Sequence, residues 1–279
     1  MKAVIQHTFN SGIGDCIVAI SEYIETAKTL KSIGCDYIEL KICTSNNLYY
    51  NSLNLFELFD IEKFSIFDNI EHVSSAIKHI NNFKIYHMSY GANEPGLHWW
   101  DLFLENDNIL PETFKVSLFS QNGYSFHNIP NYHIVDFSKS VLDRFDLIKY
   151  KESYCALHIR TQDLQDEFYL YDQNKIKIQE IYNEHKNILV CSNSSPIKKE
   201  LLKINSSLHI EHPLEDSIGS HHCYRTTLSN EIAKEKTIMT LIEILAIAHA
   251  KKIYLLTSWG RISNFLFYPL INNVSLEVI

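Results

Sequence analysis

Short apolar runs bounded by polar turns alternate with longer stretches whose apolar residues recur at helical spacing, and this alternation predicts an α/β chain. Residues 3–9 read as a first strand. The stretch 16–33 repeats Ile17, Ile20, Ile24, Ala27 and Leu30 on one helical face and stops at Gly34, a residue suited to a C′ position. The pattern then predicts a strand over 37–43, helices over 47–59 and 71–80, and a strand over 84–88. After a polar loop carrying Glu94, the run from His98 to Phe103 has two readings: Trp99, Leu102 and Phe103 as the buried face of a helix, or Trp99 and Trp100 as loop residues that stack on a sugar ring beside His98. From about residue 108 to residue 137 periodicity dissolves into Asn, Pro, Gly and Ser, as expected of an irregular crossing between domains.

Beyond that crossing the βα units become more regular. A helix over 138–147 precedes a strand over 154–159, a helix over 174–185 and a strand over 187–191. Ser195 as N-cap and Pro196 at N1 predict a helix through residue 202. A strand over 208–211, a polar loop over 212–225, a very apolar helix over 238–250 and a strand over 253–256 follow, and a last helix runs to about residue 270. Two domains are therefore expected, 1–137 and 138–279, each long enough to bury a core.

Composition narrows the function classes. Apolar residues make up 46% of the 279 and charged residues 21%, with a formal charge of −8 and no long Lys/Arg block, which argues against a nucleic-acid partner. No stretch of about 20 apolar residues occurs, and the opening residues are too polar for a signal peptide. A cytoplasmic protein with at most peripheral contact with a membrane is expected. The six cysteines show no C-x-x-C spacing, and buried free thiols are their expected state.

The candidate chemistry gathers at strand ends. In Tyr154-Cys155-Ala156-Leu157-His158-Ile159-Arg160-Thr161-Gln162-Asp163 an apolar run breaks into polar and charged residues, as at the carboxyl end of a buried parallel strand, where α/β sheets bind ligands. Arg160 there offers a fixed fork of donors to phosphate oxygens, while a surface ion pair with Asp163 is the plainer reading. The strand tips near residues 160, 192 and 257 all carry small hydroxyls or polar groups: Ser192, Asn193, Thr257 and Ser258, with Arg225 and Arg261 as further cations. Near the amino terminus, Gly12-Ile13-Gly14-Asp15 reads either as a tight turn capped by Asp15 or as a glycine loop whose backbone amides approach a ligand. His209, His212, His221, His222 and Cys223 fit no structural zinc spacing, so a metal site is not expected.

Three segments, His158 to Asp163, then Ile188 to Asn193 with Ile197-Lys198-Lys199-Glu200-Leu201, then Ala250 to Arg261, resemble in order three motifs of GDP-fucose-dependent fucosyltransferases of the α1,6-fucosyltransferase and protein O-fucosyltransferase group. The Gly12 to Asp15 turn resembles the glycine loop of those enzymes and of bacterial heptosyltransferases. The pattern departs at Arg160-Thr161-Gln162-Asp163 and at Asn193, which stands in place of an acidic residue associated with base recognition. The resemblance implies a GT-B fold, two Rossmann-like domains facing a central cleft, with the nucleotide sugar held mainly by the second domain. It further implies inverting, metal-independent transfer from a GDP-sugar, GDP-fucose or a relative such as GDP-heptose, to a glycan or lipid-linked acceptor in bacterial surface glycan synthesis, with no cofactor besides the donor. Arg160 is then the expected cation for the leaving diphosphate, with Gly12, Gly14, His158, Asp163, Ser192, Asn193, Thr257, Ser258 and Arg261 around the donor. Asp15 is the preferred base, ahead of His98 and Glu94. An ADP-heptose-type heptosyltransferase and a non-catalytic nucleotide- or glycan-binding module of the same fold are the alternatives.

Overall fold

The structure is a computed structural model that describes residues 1–8, 13–43, 55–60, 64–73, 77, 80–89, 98–106, 110–111, 137–148, 150, 152–160, 169–210, 230–256 and 275–279. The chain divides into two compact units, Met1–Ser138 and Lys139–Ile279.

The first unit is built on strands β1 (Lys2–Thr8), β2 (Tyr37–Cys43), β3 (Asn69–Val73), β4 (Phe83–Ser89) and β5 (His98–Glu105), with helices α1 (Ile13–Ser32) and α2 (Leu55–Leu58). They form one sheet in the order β3-β2-β1-β5-β4. β1, β2 and β3 are parallel, whereas β5 runs antiparallel to both β1 and β4. Ala3, Val4, Ile5, Ile38, Leu40 and Ile42 are buried along the central strands, and Ile20, Tyr23, Ala27 and Leu30 of α1 are buried with them. Gly34 ends that helix as its spacing predicts. Its φ of 89° carries the chain through a left-handed turn in which the Cys35 and Gly34 amides donate to the Leu30 and Lys31 carbonyls at 2.9 and 3.1 Å.

In this unit two stretches with a helix reading lie in strands where they are described, residues 71–73 in β3 and 98–103 in β5. The 71–80 helix begins where β3 lies, and the residue pattern there is that of a polar edge strand whose neighbours are satisfied laterally: Asn69 donates to Glu39 at 2.8 Å and Lys41 to Glu71 at 2.9 Å. The helix suggested by Trp99, Leu102 and Phe103 is β5, a central strand in which Leu102, Phe103 and Leu104 are all buried. Burial on both faces removes the alternation that marks a strand, and spacing alone then mimics a helix. The stretch 108–137 falls outside the described residues except at 110–111 and 137.

The second unit holds β6 (Cys155–Ile159), β7 (Ile188–Ser192), β8 (Ser207–Leu208), β9 (Lys252–Leu256) and β10 (Ser275–Val278). Its helices are α3 (Lys139–Ile148), α4 (Tyr169–Gln173), α5 (Lys175–Glu184), α6 (Ser195–Leu201) and α7 (Asn230–Ala248). All the strand pairs are parallel and the order is β10-β9-β6-β7-β8, a doubly wound arrangement in which chain direction across the sheet reverses between β6 and β9. One face buries Leu157, Ile159, Val190 and Tyr254 with Ile178, Ile181, Ile197 and Leu201 of α5 and α6. α7 packs with α3, where Arg144 makes a bidentate pair with Glu235 and the Phe145 and His249 rings meet tilted, with centroids 4.9 Å apart. The start of α6 differs by one residue from expectation: Ser194, fully buried, is the N-cap and accepts from the Ile197 amide, so Pro196 stands at the second helical position. α7 also begins at Asn230, eight residues before the apolar run that announces it, and β10 closes a sheet edge that the apolar pattern does not mark.

Candidate functional site

The carboxyl ends of β6 and β9 lie side by side at the reversal point of the second sheet. The Arg160 amide donates to the Leu256 carbonyl at 3.1 Å and staples the two strand ends together. Residues on parallel neighbours share a face when they are in register, and His158 is paired with Cys191 while Ile159 is paired with Ser192. Ile159 belongs to the cluster packed against α5 and α6, so His158 and, two residues on, Arg160 belong to the opposite face, the side of α7. The Arg160 side chain is half-buried and its Nε is buried without a hydrogen-bond partner among the described residues. A guanidinium nitrogen left in this state is costly in a folded protein unless a ligand completes it.

His158 sits beneath that guanidinium. Desolvation pushes its imidazole down to about 4; the nearby Glu243 carboxylate works against this and Arg160 works with it. The ring is therefore neutral near neutral pH and serves as a hydrogen-bonding group rather than a cation. Behind it, Lys198 of α6 donates to the Ile210 carbonyl at 2.9 Å and lies 3.2 Å from Glu243 of α7, with both side chains largely buried. The Tyr150 hydroxyl donates to the His209 carbonyl in the same region. Since a buried ion pair broken on one side leaves an uncompensated charge, Lys198→Ala is expected to lower stability by about 3 kcal/mol. Chemical denaturation would measure this, and Lys198→Ala with Glu243→Gln together should recover part of the loss.

Ser192 has a local structural part at this strand end. Its Oγ accepts from the Ser194 amide at 3.1 Å, so it shapes the turn into α6, and its register with Ile159 puts it on the face away from Arg160. Asn193 follows at the same strand end, half-buried.

In the first unit, Gly14 is the second residue of α1, not part of a turn, and Asp15 is the third, within the first helical turn. His98 is the first residue of β5, a strand position rather than the loop expected. It pairs with Ser89, and Trp99 is the extra residue of a bulge, since the next pair is Met88 with Trp100. Because Trp100 pairs with His7, the start of β5 lies at the carboxyl end of β1, the same sheet end from which the chain leads into α1. Asp15 and His98 thus share one lip of this sheet. Beside them, buried Gln6 clamps residue 77, accepting from the Ile77 amide at 2.6 Å.

The chain superposes on the fucosyltransferase NodZ from Bradyrhizobium with a TM-score of 0.53 at 10% identity, covering 95% of this chain and 93% of that one. The NodZ alpha-1,6-fucosyltransferase co-crystallised with GDP gives 0.52 at 11% identity, with 95% and 92% covered. The form soaked with GDP-fucose gives 0.50 at 9% identity, with 95% and 92% covered. The chain has a fucosyltransferase-like GT-B fold. No protein-family model matches the sequence. No curated protein matches it either.

Within this fucosyltransferase-like fold, Gly12, Glu94, Asp163, Arg225, Thr257, Ser258 and Arg261 lie outside the described residues, as do His212, His221, His222 and Cys223 of the histidine-rich loop. Among the described residues no group of three or more His, Cys, Asp or Glu side chains is arranged to hold a metal ion, and no helix is long and apolar enough to cross a membrane. Cys35, Cys43, Cys155 and Cys191 are buried free thiols, as expected of the chain's cysteine pattern.

Proposed function

We propose that this protein is a glycosyltransferase that takes its sugar from a nucleoside-diphosphate donor, a GDP-sugar such as GDP-fucose or a relative, by inverting, metal-independent transfer. The observation that carries this reading is the buried Arg160 Nε, without a hydrogen-bond partner among the described residues, at the strand reversal of a fold shared with NodZ, whose GDP-bound form is known. In the reaction an acceptor hydroxyl oxygen bonds to the anomeric carbon as the bond from that carbon to the diphosphate breaks. The bonding pair leaves with the phosphate oxygen, and the hydroxyl proton passes to a base. Arg160 neutralises the departing diphosphate, the task a metal ion performs in other transferases. Neutral His158 orients the donor by hydrogen bonding, and Asp15 takes the proton. Acceptors are glycans or lipid-linked sugars of a bacterial surface polymer.

The test begins with thermal stabilisation by GDP, ADP, UDP and CMP, since a ligand that binds only the folded state raises the melting temperature by mass action. GDP is expected to give the largest shift. An ADP-specific shift would instead favour heptosyl transfer. Donor turnover in the presence of EDTA should persist, and the product anomer read by NMR should be inverted. Asp15→Asn is expected to lower turnover about 100-fold while leaving GDP affinity unchanged. Unchanged turnover would remove Asp15 from the mechanism, and absence of turnover in the unaltered protein despite GDP binding would make it a binding module.

A further inference from the structure

We infer that Lys236 of α7 is a second cation of the donor site, holding the diphosphate together with Arg160. This rests on the donor-site reading above and adds to it a residue from a helix that none of the recognised motifs includes.

The geometry comes from the direction of α7. The Tyr154 hydroxyl, just before β6, donates to the Ala246 carbonyl at 2.6 Å, and Lys251, past the helix, donates its amide to the Tyr154 carbonyl at 2.9 Å. The carboxyl end of α7 therefore lies at the amino-terminal edge of the sheet. One turn earlier, Glu243 reaches the level of His158 and Cys191, on whose side chains its charge acts, and it contacts Lys198. Moving toward the start of α7 thus means moving toward the lip where β6 and β9 end. Lys236 precedes Glu243 by seven residues, which is nearly two whole turns, so it lies on the same stripe of the helix about 10 Å nearer the lip. Arg160 follows His158 by two residues on the same face, about 7 Å further along the strand. Both cations accordingly rise on one side of the sheet to one end of it.

Neither has an anion to meet among the described residues. Glu235, the neighbour of Lys236 on α7, is committed to Arg144 on the α3 side. Lys236 is half-buried, makes no side-chain hydrogen bond or ion pair there, and is held below the usual lysine range by desolvation alone. Lysines on helices normally keep the ammonium in water or find a carboxylate. Two half-buried cations without counter-ions among the described residues at one sheet end fit a ligand with adjacent negative charges, and a diphosphate has them.

The experiment is isothermal titration of inorganic pyrophosphate, GDP and guanosine into the unaltered protein, Lys236→Met and Lys236→Arg, with melting temperatures taken without ligand. Lys236→Met is expected to weaken pyrophosphate and GDP about tenfold, to leave guanosine unchanged, and to melt within a few degrees of the unaltered protein. Lys236→Arg should bind GDP within about threefold of the unaltered chain, because it keeps the charge. Unchanged GDP and pyrophosphate affinity in Lys236→Met, or equal weakening of guanosine, overturns the inference while the donor-site reading stands. A large fall in melting temperature with affinity unchanged makes Lys236 a structural residue and overturns it in the same way. If the unaltered protein binds neither pyrophosphate nor any nucleoside diphosphate, both readings fall.

Discussion

Replacing Arg160 with alanine is expected to reduce donor turnover about 1000-fold and to abolish stabilisation by GDP, without loss of folding. The size follows from the task. In the proposed reaction the guanidinium at the reversal point of the second sheet would stabilise charge that develops on the leaving diphosphate, and the removal of a single preorganised donor of that kind costs two to three powers of ten. Folding should survive because truncation removes a buried Nε donor that has no hydrogen-bond partner among the described residues. Arg160→Lys should restore only part of the activity, since an ammonium lacks the planar fork that grips two phosphate oxygens. Steady-state kinetics beside a melting curve for each variant would separate lost chemistry from lost structure.

The second large effect is acid lability. His7, buried in β1 and packed edge-on against Tyr23 at 5.7 Å, is pushed down to about 3 by burial, and His158 to about 4. Both folded values lie below the ordinary 6.5 of the unfolded chain. Between pH 6.5 and 4 the unfolded state therefore binds more protons than the folded one, so the stability these rings contribute is complete above pH 6.5 and drains away as pH falls. For one buried and one half-buried imidazole the loss by pH 4 is roughly 5 kcal/mol, a large share of the stability of a domain. The carboxylates whose pKa values are lowered, among them Asp36, Asp68 and Glu277, start below the histidine range and act at lower pH, which leaves the upper part of the window to histidine. Urea denaturation at half-unit steps from about pH 7.5 to about pH 4.5 should show a steep decline. In the His7→Gln, His158→Gln double variant the slope should flatten, whatever that variant's stability at neutral pH. A slope unchanged in the double variant would mean that other groups govern the acid limb.

How much of this was legible in the chain depends on how each segment is buried. β6, β7 and β9 were readable because each is a short apolar run ending abruptly in polar residues, the signature of a parallel strand covered on both faces. The same burial hid β5, whose unbroken Leu102-Phe103-Leu104 run carries no alternation, and its antiparallel course makes the first sheet mixed. β3 was hidden for the opposite reason: a polar edge strand stabilised by Lys41 and Asn69 contacts has no apolar rhythm to detect. Arg160 stood out because a charged residue at the end of an apolar run needs explaining. Lys198 and Lys236 did not, because a lysine within a helical stretch looks like a solvated surface residue. Only the packing shows that Lys198 is buried against Glu243 and that Lys236 shares Glu243's stripe. The N-cap fell one residue early because three of the four residues from Ser192 to Ser195 are serines, and sequence cannot choose which hydroxyl caps the helix.

The most direct test is a crystal structure of the protein grown with GDP. The diphosphate should lie at the ends of β6 and β9 with its oxygens within hydrogen-bonding distance of the Arg160 guanidinium, Nε included. A nucleotide bound elsewhere, with Arg160 directed into solvent, would rule out this strand reversal as the donor site.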